Sequence, residues 1–202
     1  IVAPPVATNM TIDEMTNDQG IELGLTLSDQ VSTLETALRT IGLTSNFARL
    51  VLVCGHGSSS DNNPFEAALH CGACGGHPGK ANARVFASIA NKPEVRSQLA
   101  DNGIVIPEDT HFIAGLHDTT TDGVVIFDQV DIPASHQDDM SRLTQGLRDA
   151  AVRTNQERCA RLPLVKKNPT PSTVEREINR RAGDWSEVRP EWGLSGNAAF
   201  II

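Results

Sequence analysis

Leu50-Val51-Leu52-Val53 is a run of four apolar residues, two of them β-branched, with no polar position between them. A strand with one wet face alternates apolar and polar residues. An unbroken run instead suits a strand buried on both faces, as in a parallel sheet between helical layers. A second run, Thr110-His111-Phe112-Ile113-Ala114-Gly115-Leu116-His117, has the same character, and Val124–Phe127 reads as a third strand.

Helical patterns fill the intervals. Ser28 reads as the N-cap of a helix with Val31, Leu34, Leu38 and Ile41 inward and Gly42 at its end. Asn63-Pro64 opens a short helix through about Leu69, and residues 81–90 read as helical. Pro93 starts another helix, with Val95 and Leu99 inward and Asn102-Gly103 as its stop. A long polar helix is expected from Ser135 to about Arg161, with Met140, Leu143, Leu147, Ala151 and Val152 facing in. Asn168-Pro169-Thr170-Pro171 breaks the chain before a short charged helix near 173–181. Strands alternating with helices predict an α/β fold, a partial parallel sheet flanked by helices.

The chemistry gathers where the first strand ends. Cys54-Gly55-His56-Gly57 follows the apolar run directly, at the carboxyl end where open α/β sheets place ligands. His70, Cys71, Cys74 and His77 come next, spaced by glycines. Soft sulfur and borderline nitrogen donors gathered this way suit zinc. His56 and Cys71 are the expected ligands, one from a strand end and the other from a glycine-rich loop. The spacing alone is not specific to a metal. Cys54, His70 and Cys74 are expected beside the ion, and Gly75 and Gly76 belong to a loop whose amides suit a small anion. His117 with Asp118 and Asp122 is expected at the same sheet edge, while His111, at a strand start, reads as structural.

Other motifs fit less well. Cys71-Gly72-Ala73-Cys74 is a C-x-x-C pair and keeps a thiol redox reading open. It lacks the second pair of a four-cysteine zinc site and the adjoining histidine of a haem attachment. Gly79-Lys80 is followed by Ala81 where a phosphate-binding loop needs Ser or Thr. Ser58-Ser59-Ser60 lies in no G-x-S-x-G elbow and reads as a polar turn.

A net charge of -8 argues against nucleic acid as a partner. The charge is uneven: residues 1–150 hold 8 basic and 19 acidic residues, residues 151–202 hold 9 and 6. That basic tail, with Trp185 and Trp192, leaves open a non-catalytic docking module. No apolar run approaches 18 residues, so none of the 202 reads as a spanning helix. No secretory signal is visible, and four cysteines in so long a chain read as reduced thiols in a cytoplasm. Ile1 in place of methionine and the apolar end Ala199-Phe200-Ile201-Ile202 read as a piece of something longer.

VLVCGHGSSSDNNPFEAALHCGACGGHPGKANAR, VRSQLADNGIVIPEDTHFIAGLHDTTTD and DWSEVRPEWGLSGNAAF together resemble the DabA family, large subunits of an energy-coupled inorganic carbon pump. The matching blocks run from about Arg49 to Phe200. The resemblance implies a zinc site like that of β-type carbonic anhydrases, with Cys and Asp from an upstream C-x-D and a downstream His and Cys mapping onto His56 and Cys71. No C-x-D occurs in these 202 residues. The implied fold is therefore a β-carbonic-anhydrase-like core without its upstream half, inactive alone and weak in zinc binding. The implied organisation is a linker over 1–20, an α/β zinc-site half-domain over 21–165 and an irregular tryptophan-containing segment over 166–202. The resemblance also implies carbon dioxide hydration coupled to bicarbonate uptake, an integral membrane, proton-conducting (DabB-like) partner subunit, and a peripheral position on the cytoplasmic side of the cell membrane.

Overall fold

The computed structural model describes residues 10–61, 69–162, 169–187 and 189–193, with residues 192 and 193 by backbone alone. The helix expected from Asn63-Pro64 onward falls outside them, as do residues 1–9 and 194–202 of the two end segments. The chain divides into two compact units. One takes Ile1–Cys54, Lys80–Gly115 and Ile126–Met140; the other takes Gly55–Gly79, Leu116–Val125 and Ser141–Ile202.

The first unit opens with a small antiparallel ladder, β1 (Met15–Thr16) against β2 (Glu22–Leu23). Helix α1 (Leu27–Ile41) follows. Its N-cap is Thr26 rather than Ser28: the Thr26 hydroxyl oxygen accepts from the Asp29 amide at 3.1 Å and its hydroxyl donates to the Asp29 carboxylate at 2.7 Å. Asp three residues on lets the cap be closed from both sides, which Ser28 lacks. At the other end Gly42 takes φ 77°. Leu43 then turns back, its amide donating to Leu38 O at 2.9 Å. This 6→1 closure puts Leu43 against the core and leaves Ile41, expected inward, 65% exposed.

Helices α2 (Lys80–Ala90) and α3 (Pro93–Asp101) run as expected, Pro93 in the first turn and Val95 and Leu99 fully buried. Leu34, Leu38, Ile89, Ile104 and Phe112 join them in one apolar cluster. Phe112 is flanked by the rings of Phe47 and Phe86 at centroid distances of 6.1 and 6.2 Å.

The larger sheet has the order β3-β4-β5, with β3 at Leu50–Gly57, β4 at His111–Asp118 and β5 at Val124–Ile126. His111 N donates to Arg49 O and Thr119 N to Gly57 O, each at 2.8 Å, so the numbers rise together and β3 and β4 are parallel. Asp118 N to Gly123 O and Phe127 N to Ala114 O run in opposite senses, so β5 is antiparallel. The sheet is therefore mixed, not parallel throughout. The link from β4 to β5 is too short for a crossover and can only return as a hairpin. Two further expectations are corrected. β3 continues through Cys54-Gly55-His56-Gly57, because pairing to the β4 end is kept as far as Gly57. Its apolar run is half-buried, since β3 lies at the edge of this sheet; β4, in the middle, buries Phe112 to Gly115.

Helix α4 spans Gln137–Cys159, after a 3-10 turn at Ala134–His136. Met140 is buried, but Val152 is 40% exposed. The buried residues toward the end of α4 are instead Asn155, Arg158 and Cys159. In the second unit Cys159 and Leu162 pack against Val174 and Ile178 of α5 (Pro171–Ala182). Pro171 is the first-turn residue of that helix, with Thr170 as its cap.

Candidate functional site

All but one of the candidate site residues belong to the second unit; Cys54, exposed on β3, belongs to the first. His56 is exposed on β3. Its carbonyl accepts from Gly79 N at 2.9 Å, which fastens the end of the glycine-rich loop to the histidine's own backbone. The loop closes on itself just before that point. Cys71 N donates to His77 O at 3.2 Å, and the Cys71 carbonyl accepts from Cys74 N and Gly76 N, both at 3.0 Å. Gly72–Cys74 forms a single 3-10 turn, and Gly75 and Gly76 take φ of 66° and 81°. Two successive left-handed residues fold the chain sharply enough for Cys71 and His77 to pair.

The Cys71 thiol titrates below its ordinary value. The Cys74 side chain hydrogen-bonds to its sulfur, which outweighs partial burial, and the amides of Cys74 and Ala73 add to the effect. A sulfur held as thiolate is the form that binds a metal or attacks a disulfide. Cys74 is half-buried beside it, whereas Cys159 is buried among apolar side chains and its thiol is pushed up by that burial.

His70 is buried and accepts from Ser58 N through Nδ1 at 3.2 Å. It braces the turn that leaves β3. His77 presents an exposed side chain and contributes its backbone to the loop. Among the described residues, no group of three or more His, Cys, Asp and Glu side chains converges to hold a metal ion. His56 and Cys71 are donors of the types zinc prefers, but two donors fall short of the four a tetrahedral site needs. The donor chemistry fits zinc and the donor number is half of what it requires.

Beyond the ends of β3 and β4 lies a second, denser cluster. Asp118 accepts from Ser59 N at 3.0 Å, the Ser59 hydroxyl at 2.6 Å, Thr120 N at 3.1 Å and the Thr121 hydroxyl at 2.7 Å. His117 Nε2 lies 2.9 Å from Asp122, and Arg158 pairs with the other Asp122 oxygen at 2.8 Å. Arg158 also donates to Thr120 O and Thr119 O. Glu191 accepts from the hydroxyls of Thr120 at 2.6 Å and Ser58 at 3.2 Å. The hydroxyl- and carboxylate-rich composition of 118–122 marked half of this cluster in the sequence. Arg158, in a polar helix, and Glu191, far along the chain, carried no spacing or motif that would have added them.

Burial, the largest influence on Asp118, raises its pKa, but the Ser59 and Thr121 hydroxyls and the amides of Thr120 and Ser59 together bring it below the ordinary aspartate value. A carboxylate with a depressed folded pKa stabilises the fold above its unfolded pKa, and that stabilisation is lost as pH falls through the folded value. Urea midpoints of the wild-type chain are expected to drop more steeply below about pH 4 than those of Asp118→Asn. Parallel profiles for the two proteins would show that Asp118 is not the group responsible.

The family model described as probable inorganic carbon transporter subunit DabA matches residues 2–202. A protein of that description from Chloroflexus aggregans is 53% identical over 179 residues, 89% of this chain and 21% of its own. One from Roseiflexus sp. is 51% identical over 183 residues, covering 91% and 21%. One from Geobacillus thermodenitrificans is 47% identical over 199 residues, covering 98% and 22%. The chain thus spans about a fifth of the length of these curated relatives. No solved structure matches it.

Proposed function

Because the chain belongs to the family of probable inorganic carbon transporter subunits DabA, we propose that it carries half of a zinc site serving carbon dioxide hydration and bicarbonate uptake. His56 and Cys71 supply a nitrogen and a sulfur, and two further donors come from the remainder of the longer subunit. The matching fold reading is a β-carbonic-anhydrase-like core completed by that remainder. The observation that carries the reading is local: the loop bearing Cys71 is hydrogen-bonded, through Gly79, to the backbone of His56 itself.

When bound, zinc acts as a Lewis acid that brings water's pKa toward neutrality. The chain's own residues bind and orient. The Cys74 thiol and the amides of Ala73 and Cys74 hold Cys71 toward its thiolate form. Gly75 and Gly76 spend their amides within the loop, on Gly72 O and Cys71 O, and their lack of side chains leaves room beside it for a small planar anion such as bicarbonate. His70 and Asp118 fix the turn after β3 and so hold the strand end that carries His56. A transporter subunit works with others; the partner in this reading is an integral membrane, proton-conducting subunit, with this chain peripheral on the cytoplasmic side. No helix among the described residues is long and apolar enough to cross a membrane.

Metal analysis of the intact subunit tests the proposal. His56→Ala and Cys71→Ser are each expected to abolish stoichiometric zinc while leaving the far-UV circular dichroism spectrum unchanged. Wild-type zinc content in both variants would overturn it.

A further inference from the structure

Cys71 and Cys74 share one tight turn and do more than a single metal ligand requires. Cys71 caps the 3-10 turn Gly72–Cys74 in an extended conformation, and the Cys74 amide closes the turn on the Cys71 carbonyl at 3.0 Å. Only Gly72 and Ala73 lie between the two thiols, both small and exposed, so nothing bulky obstructs them. A 3-10 turn stacks residues three apart, which sets the side chains of Cys71 and Cys74 at neighbouring positions of one turn. Neither cysteine is in a disulfide and both are half-buried, within reach of a small reagent, whereas Cys159 is enclosed by Leu162, Val174 and Ile178.

We infer that Cys71 and Cys74 form a reversible intramolecular disulfide that withdraws Cys71 from the ion, making metal occupancy respond to thiol oxidants. This gating rests on the zinc reading; the disulfide does not. The oxidant is a small-molecule disulfide such as oxidised glutathione. The Cys71 thiolate attacks one of its sulfurs, forming a mixed disulfide and expelling one thiolate. The Cys74 thiolate then attacks the Cys71 sulfur, forming the internal bond and expelling the second thiolate. Two protein thiols are oxidised, one small disulfide is reduced to two thiols, and the two cysteine protons pass to the leaving thiolates. Zinc and the internal disulfide compete for the same sulfur, so oxidation and metal loss are linked.

The test titrates the intact subunit with glutathione buffers of rising oxidised fraction. Each sample is alkylated, peptide-mapped and dialysed for zinc analysis. A peptide joining Cys71 to Cys74 is expected to appear as zinc is lost, both reversed by dithiothreitol with added zinc. Closure within one loop carries an effective concentration in the millimolar range, so the disulfide forms where a mixed disulfide does not. Cys74→Ser, scored against its own zinc content in reductant, should need at least tenfold more oxidised glutathione to lose half of it. An unchanged midpoint in Cys74→Ser overturns the inference, as does a peptide map without the joined peptide. Zinc absent from the reduced wild type overturns the metal reading and the gating with it, while the joined peptide would still establish the disulfide.

Discussion

Gly55→Ala is expected to destabilise the chain by about 3 kcal/mol and to separate the glycine loop from the strand bearing His56. A Cβ built on Gly55 would stand 2.6 Å from the carbonyl carbon of Gly79, against its oxygen, and 2.9 Å from its Cα. Those atoms are backbone, so no rotamer change relieves the overlap. Either β3 or the loop must move as a whole, and the hydrogen bond from Gly79 N to His56 O lies in the path of that movement. Gly79→Ala meets Gly55 Cα and His56 N at 3.1 Å and should be milder. Gly72→Ala is the control: nothing lies within 4 Å of its added Cβ, and its change should stay within about 0.5 kcal/mol. Urea unfolding of the three variants measures the order, and zinc occupancy of the intact subunit should fall with Gly55→Ala. Equal midpoints for Gly55→Ala and Gly72→Ala would remove the close approach from the account.

The contrast among these glycines also shows where sequence reading reaches its end. Glycines at 55, 72, 75, 76 and 79 look alike in the sequence, and the last four suited a loop that approaches an ion. Only the packing separates Gly55, where another backbone fills the Cβ site, from Gly75 and Gly76, where the dihedral angle matters. Periodicity located α2, α3 and β4 because each carries its own pattern: Val95 and Leu99 four apart, or Phe112 to Gly115 without a break. It misjudged Ile41 and Val152, because a helical stripe marks a face and not how far along the helix the core extends. The orientation of β5 was also out of reach. An apolar triplet such as Val124-Val125-Ile126 is the same in either direction, and only the length of the link from Asp118 decides.

The same limit hid Arg158, whose removal should have the largest effect in the second unit. Its guanidinium donates to Thr120 O at 2.6 Å and Thr119 O at 3.1 Å and pairs with Asp122 at 2.8 Å. Side-chain exposures of 4% for Arg158 and 10% for Asp122 leave little water to replace it. Arg158→Met keeps the aliphatic stem but removes two backbone hydrogen bonds and one ion pair at once, leaving the Asp122 carboxylate buried with His117 beside it. Breaking a buried pair from one side costs ~3–5 kcal/mol, against no more than about 1 kcal/mol for Arg161→Met, whose pair with Glu157 is exposed on both sides. Adding Asp122→Asn to Arg158→Met should recover part of the loss, because no uncompensated charge then stays inside. Urea denaturation of the single and double variants gives the coupling directly. If Arg158→Met falls no further than Arg161→Met, the turn after β4 is held by the Asp118 hydrogen bonds alone. If it falls as expected, the turns that leave β3 and β4 are locked to each other through Arg158, Thr120 and Ser58, and the strand end that carries His56 is held from a helix about a hundred residues further along the chain.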